Sequence, residues 1–272
     1  SLSAQETPEE VMTISPLEKG KLVHTILERF VKEADTALHG KPWPPRSTDR
    51  LLAIADEEFE KAESSGVTGR AQLWEAEKTD ILRDLETFIE KDAEWRAERG
   101  VIPKEVEWPF GFDSDPVSLS LPDGSQVRFR GMIDRVDVDE DGSTVVVIDY
   151  KTGSSYSYRD MKDDPLGQGK HLQLPVYAHV VRSTLVPNAT VDAEYWFVSS
   201  KGKFERRTVP LKDVEEEFKS TVQTIVAGIR EGVFPANPGG PGMDGPANCT
   251  YCDFNRLCPT DRVSQWARKQ DS

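Results

Sequence analysis

Residues 145–153, VVVIDYKTG, set four apolar residues in a row and then break the run with Asp149 and Lys151. The run reads as a strand entering a core, and side chains at alternate strand positions share a face. Asp149 and Lys151 therefore stand side by side at the strand tip, with Tyr150 turned away. The segments around this strand limit its setting. Residues 17–34 carry apolar positions 22, 23, 26, 27, 30 and 31 on one helical arc, entered through Ser15 and Pro16. After the Pro-rich GKPWPPRST, helical patterns cover about 49–64 and 72–96. From Val101 the period becomes that of strands, in EVEWPFGF, VSLSLP, VRFRGMIDRVDV and STVVVIDY, with turns at Pro122-Asp123-Gly124 and Asp139-Glu140-Asp141-Gly142. A polar loop over 153–170, a helix over about 171–185, strands at VDAEYWFV and FERRTVP and a helix over about 211–232 follow. The tail beyond it, crowded with Gly and Pro, reads as loop. This order predicts an α/β domain with a mixed sheet and a helical insertion in front.

Charge narrows the function classes. The 272 residues carry a formal charge of −14, the wrong sign for a protein that grips DNA over a broad surface, because that affinity comes from Lys and Arg neutralising phosphates. Any nucleic-acid contact is expected to be local or made largely by a partner. No apolar run has the length of a membrane span and no signal peptide is evident, so a cytoplasmic protein without membrane contact is expected. Residues 1–16 form a polar leader starting at Ser1, where a longer chain is expected to have been cut.

GMIDRVD, on the strand preceding VVVIDYKTG, carries Asp134. Pairing of the two strands as a hairpin would bring Asp134 beside Asp149. Two carboxylates and a lysine at one sheet end suit magnesium or manganese and the activation of water. From spacing alone, a solvated Asp149–Lys151 pair at a strand end fits equally well. His24 lies at the edge of the apolar arc of its helix, beside Leu27 and Val31, where a histidine is more often structural than a ligand. Gly20 lies within the arc, where it would let a neighbouring backbone come close. Gln173 and Tyr177, four apart, share a helix face, with Pro175 tolerated near the helix start.

Taken together, GMIDRVD followed by IDYKTG resembles the PD-(D/E)XK nuclease superfamily, in its RecB-like exonuclease branch. GKLVHTILERF resembles that branch's G-x-x-x-H-x-x-L-E helix, and QLPVYA its Q-x-x-x-Y motif. The resemblance implies a restriction-endonuclease-like mixed central sheet flanked by helices, with a nuclease domain over 17–235 and a helical insertion at about 40–97. It implies that Asp134, Asp149, His24 and the main-chain carbonyl of Tyr150 hold magnesium or manganese, with Lys151 acting on the attacking water and the phosphate charge. Gln173 and Tyr177 would face the active site and position DNA or the lysine. Glu107, in an E-x-P-F stretch, is a further candidate to approach it.

Cys249, Cys252 and Cys258 form C-x2-C-x5-C in the tail, a spacing that lets several thiolates face one metal or cluster. The pattern resembles the C-terminal cysteines of the iron–sulfur RecB-like nucleases of the AddB and AdnB type. There an upstream cysteine completes a 4Fe–4S cluster, whereas this chain has none before Cys249. A cluster is therefore expected in a longer parent chain, or zinc with a histidine as fourth ligand. The Gly- and Pro-rich tail spans 236–272, and without either metal the chain beyond about Val233 is expected to be disordered. The leading expectation is a DNA exonuclease domain of a helicase–nuclease in double-strand break repair, acting on single strands or duplex ends with a helicase domain or subunit as partner. A non-catalytic DNA-end or partner-binding module of the same fold, and an RNA-directed or CRISPR-adaptation exonuclease, remain as alternatives.

Overall fold

The computed structural model describes residues 12–34, 42–112, 115–233, 236–242, 245–250, 252, 254–255 and 257–270. Three helices come first: α1 (Pro16–Glu33), α2 (Ser47–Ser65) and α3 (Ala71–Arg99). The Ser15 hydroxyl caps α1 by accepting from the Glu18 amide, with Pro16 at the first helical position. Strands β1 (Val101–Phe110), β2 (Val117–Ser120), β3 (Gln126–Phe129), β4 (Gly131–Asp139) and β5 (Thr144–Lys151) follow. Then come α4 (Gln173–Thr184), β6 (Thr190–Phe197), β7 (Arg206–Pro210), α5 (Leu211–Arg230) and α6 (Arg262–Gln270). The central sheet has the order β1-β4-β5-β6-β7 and is mixed, with β5 and β6 parallel and the other neighbours antiparallel. Pro103 and Pro109 sit in β1, an edge strand, where a missing amide breaks no ladder.

The two faces of β5 are covered from different sides. Val146, Ile148 and Tyr150 join the main core with Ile26, Leu27 and Phe30 of α1, Leu51 and Ile54 of α2, and Ile81, Leu85 and Phe88 of α3. Burying each phenylalanine there contributes roughly 2–3 kcal/mol. Val145 and Val147 alternate to the opposite face, and α4 packs on β5 and β6 through the βαβ crossover. The segment read as one strand, VRFRGMIDRVDV, is two: β3 pairs with β2 in a separate hairpin, and β4 enters the main sheet after Arg130. Gly111 turns the chain out of β1 at φ +72°, where a Cβ would lie 2.6 Å from the Phe129 carbonyl oxygen, so only glycine fits.

Several charges of β4 and α3 are buried. Arg135 is fully buried and pairs with Asp137, donates to Asp92 Oδ1 on α3 at 2.8 Å and reaches the Tyr150 hydroxyl at 3.2 Å. Arg96 closes the group on Asp92 at 2.8 Å. Burial opposes the charge on Arg135, but Asp137 and Asp92 hold it firmly protonated.

The chain divides into two compact units, Ser1–Thr221 and Val222–Ser272. The second contains the three free cysteines and α6, a helix beyond the Gly- and Pro-rich segment read from sequence as loop. Asp261 starts it by accepting from the Gln265 amide and side chain, and Arg268 and Lys269 lie in its last turn. Among the described residues, no helix is long and apolar enough to cross a membrane.

Candidate active site

The β4–β5 ladder runs to Arg135 opposite Ile148 and no further. Beyond it the Asp134 carboxylate takes over, accepting the Tyr150 amide at 2.7 Å. One residue on either side of Tyr150, Asp149 and Lys151 face the same cleft. Asp134 and Asp149 are 8 % and 2 % exposed, so both carboxylates meet away from bulk water. His24 reaches in from α1, its Nε2 3.0 Å from the Tyr150 carbonyl oxygen and its Nδ1 3.5 Å from Asp134 Oδ2. If Nε2–H donates to that carbonyl, the neutral ring turns a lone pair toward Asp134, an arrangement that calls for a proton or a cation. Burial acts to lower the His24 pKa, but the hydrogen bond and charge of Asp134, with Asp149 and Glu107 behind, raise it.

Lys151 is fixed by three neighbours. Its ammonium pairs with Asp149, donates to Gln173 Oε1 at 3.2 Å and lies 4.8 Å from the centre of the Tyr195 ring. The Gln173 amide in turn donates to the Tyr177 hydroxyl at 3.1 Å. Burial pushes Tyr177 up to about 12, which keeps it a neutral phenol. Thus the residues from four separate stretches of sequence are joined in two contact chains, His24–Asp134–Tyr150 and Asp149–Lys151–Gln173–Tyr177.

The cleft has a volume of about 630 Å³ and is lined by Gly20, His24 and Glu28 of α1, Glu107 of β1, Asp134, the tip of β5 and Gln173. Gly20 is not there for a close backbone approach: a Cβ would meet only Thr152 Oγ1 at 3.6 Å, an ordinary contact. Burial and the charge of Asp134 push Asp149 up to about 6, against the pull of Lys151. Burial, Asp134 and Glu28 push Glu107 up to about 7. Asp149 Oδ2 is buried and receives no aligned hydrogen bond despite the ammonium beside it. Crowded carboxylates, one imidazole and a main-chain carbonyl are a hard donor set that fits magnesium or manganese.

A family model described as the PD-(D/E)XK nuclease superfamily matches residues 3–259. The chain belongs to this superfamily. It is 32% identical over 194 residues to the ATP-dependent helicase/deoxyribonuclease subunit of Symbiobacterium thermophilum, covering 66% of this chain and 16% of that protein. The like-named subunit of Alkaliphilus oremlandii is 29% identical over 219 residues, covering 75% of this chain and 18% of its own length. That of Clostridium botulinum (strain Hall) is 25% identical over 230 residues, 79% of this chain and 19% of its own. The chain thus spans less than a fifth of the length of these relatives.

Within this nuclease fold, the residue least legible in sequence is Glu107. Among the described residues, the one group of three His, Cys, Asp or Glu side chains with ligand atoms within 4.8 Å of one another is His24, Glu107 and Asp134. The sulfurs of Cys249, Cys252 and Cys258 form no such group, so their spacing is not matched by a gathered thiolate site in this chain.

The charge crowding has a measurable sign. Asp149 and Glu107 titrate at about 6 and about 7 in the fold, above the ordinary carboxylate range of about 4. Each therefore contributes stability that is present below that range and lost as pH rises through its folded value. In EDTA, Glu107→Gln is expected to flatten the fall in unfolding free energy between about pH 5 and 8, by on the order of 1 kcal/mol after allowing for solvent screening, as read from denaturant unfolding at each pH. Superimposable profiles for parent and variant would remove the crowding argument.

Proposed function

We propose that this chain is a magnesium- or manganese-dependent deoxyribonuclease domain of exonuclease type, working within a helicase–nuclease in double-strand break repair. The observation that carries the reading is the convergence in one cleft of Asp134, Asp149, His24 and Lys151, drawn from three separate elements. Asp134, Asp149, His24 and the Tyr150 carbonyl would hold the cation. When bound, it supplies Lewis acidity toward the phosphate and a lowered pKa for water. Lys151 orients the attacking water and offsets charge gathering on the phosphate, from a position set by Asp149, Gln173 and the Tyr195 face. Gln173 and Tyr177 hold the lysine on its rotamer and offer donors to the DNA backbone.

The names of the relatives support DNA as substrate and a helicase as neighbour. A negative chain also suits DNA delivered by a motor rather than captured from solution. Cys249, Cys252 and Cys258 fit a 4Fe–4S cluster only with a fourth ligand from outside this chain, which iron and sulfide analysis of a longer chain would test. For the nuclease itself the test is degradation of end-labelled single-stranded DNA with magnesium or manganese, and with EDTA as control. Lys151→Ala is expected to lower cleavage about 10²-fold or more, the scale for removing one preorganised charge stabiliser. A folded parent chain that binds metal yet leaves the DNA intact would defeat the enzymatic reading.

A further inference from the structure

Between β1 and β4 the chain leaves the main sheet and returns as a two-stranded ribbon, β2 and β3. It departs at Phe110 and comes back at Gly131, two residues that face each other at the end of the sheet where β5 closes on Lys151. Strand alternation gives the ribbon two unlike faces. On one, Leu119 is buried and Val127 and Phe129 are half-buried, and β2 packs against α4. On the other, Ser118 lies opposite Arg128 and Ser120 opposite Gln126, all four exposed, and Arg130 continues the exposed row.

This outward face carries two guanidiniums, two hydroxyls and an amide, and no carboxylate, in a chain with 48 acidic and 34 basic residues. Asp115 and Asp123 lie off the paired strands, Asp123 in the turn, where it accepts the Ser125 amide at 2.9 Å. Among the described residues neither Arg128 nor Arg130 has a carboxylate partner. Arginine, serine and glutamine side chains are the groups that meet phosphate and sugar oxygens of DNA. Phe112, 57 % exposed at the foot of the ribbon, adds an aromatic ring with the Arg130 guanidinium 5.7 Å from its centre. An exposed ring beside a cation is a platform on which an unpaired base stacks.

The ribbon is tied to the cleft. The His179 ring on α4 donates from Nε2 to the Ser118 carbonyl oxygen at 3.1 Å, and the Phe110 ring lies edge-on to Tyr177 of the same helix at 6.0 Å. Arg130 and Arg128 stand four and six residues before Asp134, hence at most about 14 and 22 Å from it along the chain. That is a reach of a few nucleotides.

We propose that the outward face of this ribbon is a track for single-stranded DNA beside the cleft, with Arg128 and Arg130 on its phosphates and Phe112 stacked on an unpaired base. The inference rests on the nuclease reading above and names the surface that orients its substrate. It also supplies the local contact that a formal charge of −14 leaves room for.

The test is fluorescence anisotropy of a fluorescein-labelled oligothymidylate with the whole chain in EDTA, where no DNA is cut, over a series of low salt concentrations. Arg128→Gln combined with Arg130→Gln is expected to weaken binding about tenfold or more. It should also lower the slope of log affinity against log salt by about 1.4, at about 0.7 for each phosphate contact on single strands. Arg128→Lys combined with Arg130→Lys keeps both charges and should keep the slope. Phe112→Ala is expected to weaken binding about fivefold or more at an unchanged slope, the scale for one stacked base. All three side chains are exposed, so every variant should melt with the parent. Unchanged affinity in the glutamine pair or in Phe112→Ala, or a parent that binds no oligothymidylate at low salt, overturns the proposal. Metal-dependent cleavage of the same DNA by the parent is scored alongside. Cleavage with binding that ignores these substitutions leaves the nuclease reading standing, and a parent that neither binds nor cleaves overturns both.

Discussion

Asp149→Ala is expected to lower metal-dependent DNA cleavage about 10³-fold or more, near 4 kcal/mol of transition-state stabilisation. The carboxylate does two things that no neighbour can supply. It is the buried oxygen donor on the strand tip, and it holds the Lys151 ammonium, which would otherwise keep only Gln173 and the Tyr195 face. On the proposed reading, loss of one group thus removes a ligand and mispositions the cation that would meet the phosphate. Asp149→Asn separates these effects from folding. Because burial and Asp134 disfavour the ionised form of Asp149, the isosteric amide should melt at or above the parent temperature in EDTA and still be inactive. Single-turnover cleavage of end-labelled DNA reads the result; activity within tenfold of the parent in either variant would remove Asp149 from the site.

Arg135→Met is expected to cost about 3–5 kcal/mol of stability, the range for breaking a buried ion network from one side. The guanidinium is enclosed and serves Asp137, Asp92 and the Tyr150 hydroxyl at once. Without it, Asp137 keeps no ion-pair partner among the described residues, and Asp92 keeps only Arg96. Arg135→Lys should recover little, since an ammonium cannot reproduce the planar fork. Urea unfolding monitored by tryptophan fluorescence measures the cost, and a loss below about 1 kcal/mol would mean that the network is dispensable. The same arginine touches the Tyr150 side chain, whose backbone carries the amide and carbonyl of the site, so surviving folded protein should also bind manganese more weakly.

What the sequence made legible follows from how each element buries its residues. The helices predicted over 17–34, about 171–185 and about 211–232 lie at Pro16–Glu33, Gln173–Thr184 and Leu211–Arg230, because each repeats one apolar face. Asp149 and Lys151 were legible through the resemblance of IDYKTG to a nuclease motif, since by spacing alone a solvated pair at the strand tip fitted equally well. Arg135 was not: in GMIDRVDVD the alternation of charged and apolar residues reads as a half-solvated strand, and only the packing of α3 over that face turns its charges inward. Glu107 was visible only as part of an E-x-P-F stretch, since its direction depends on one residue leaving the strand conformation, which no side-chain period records. The division between β3 and β4 was hidden for a related reason: Arg130 and Gly131 continue the strand pattern while the hairpin turns away.

One oxygen of Asp134 receives the Tyr150 amide just where the β4–β5 ladder stops. The residue is thereby both a proposed ligand and the clasp that closes the end of the sheet, whereas Asp149 and Lys151 carry no such structural duty. This makes the ways of losing activity unequal. A lineage that abandoned cleavage but kept the fold to hold DNA would shed Lys151 or Asp149 first, at little cost to folding. Asp134 would outlast the chemistry it served, so that in a retired copy an aspartate at this position would testify to the architecture and say nothing of the reaction.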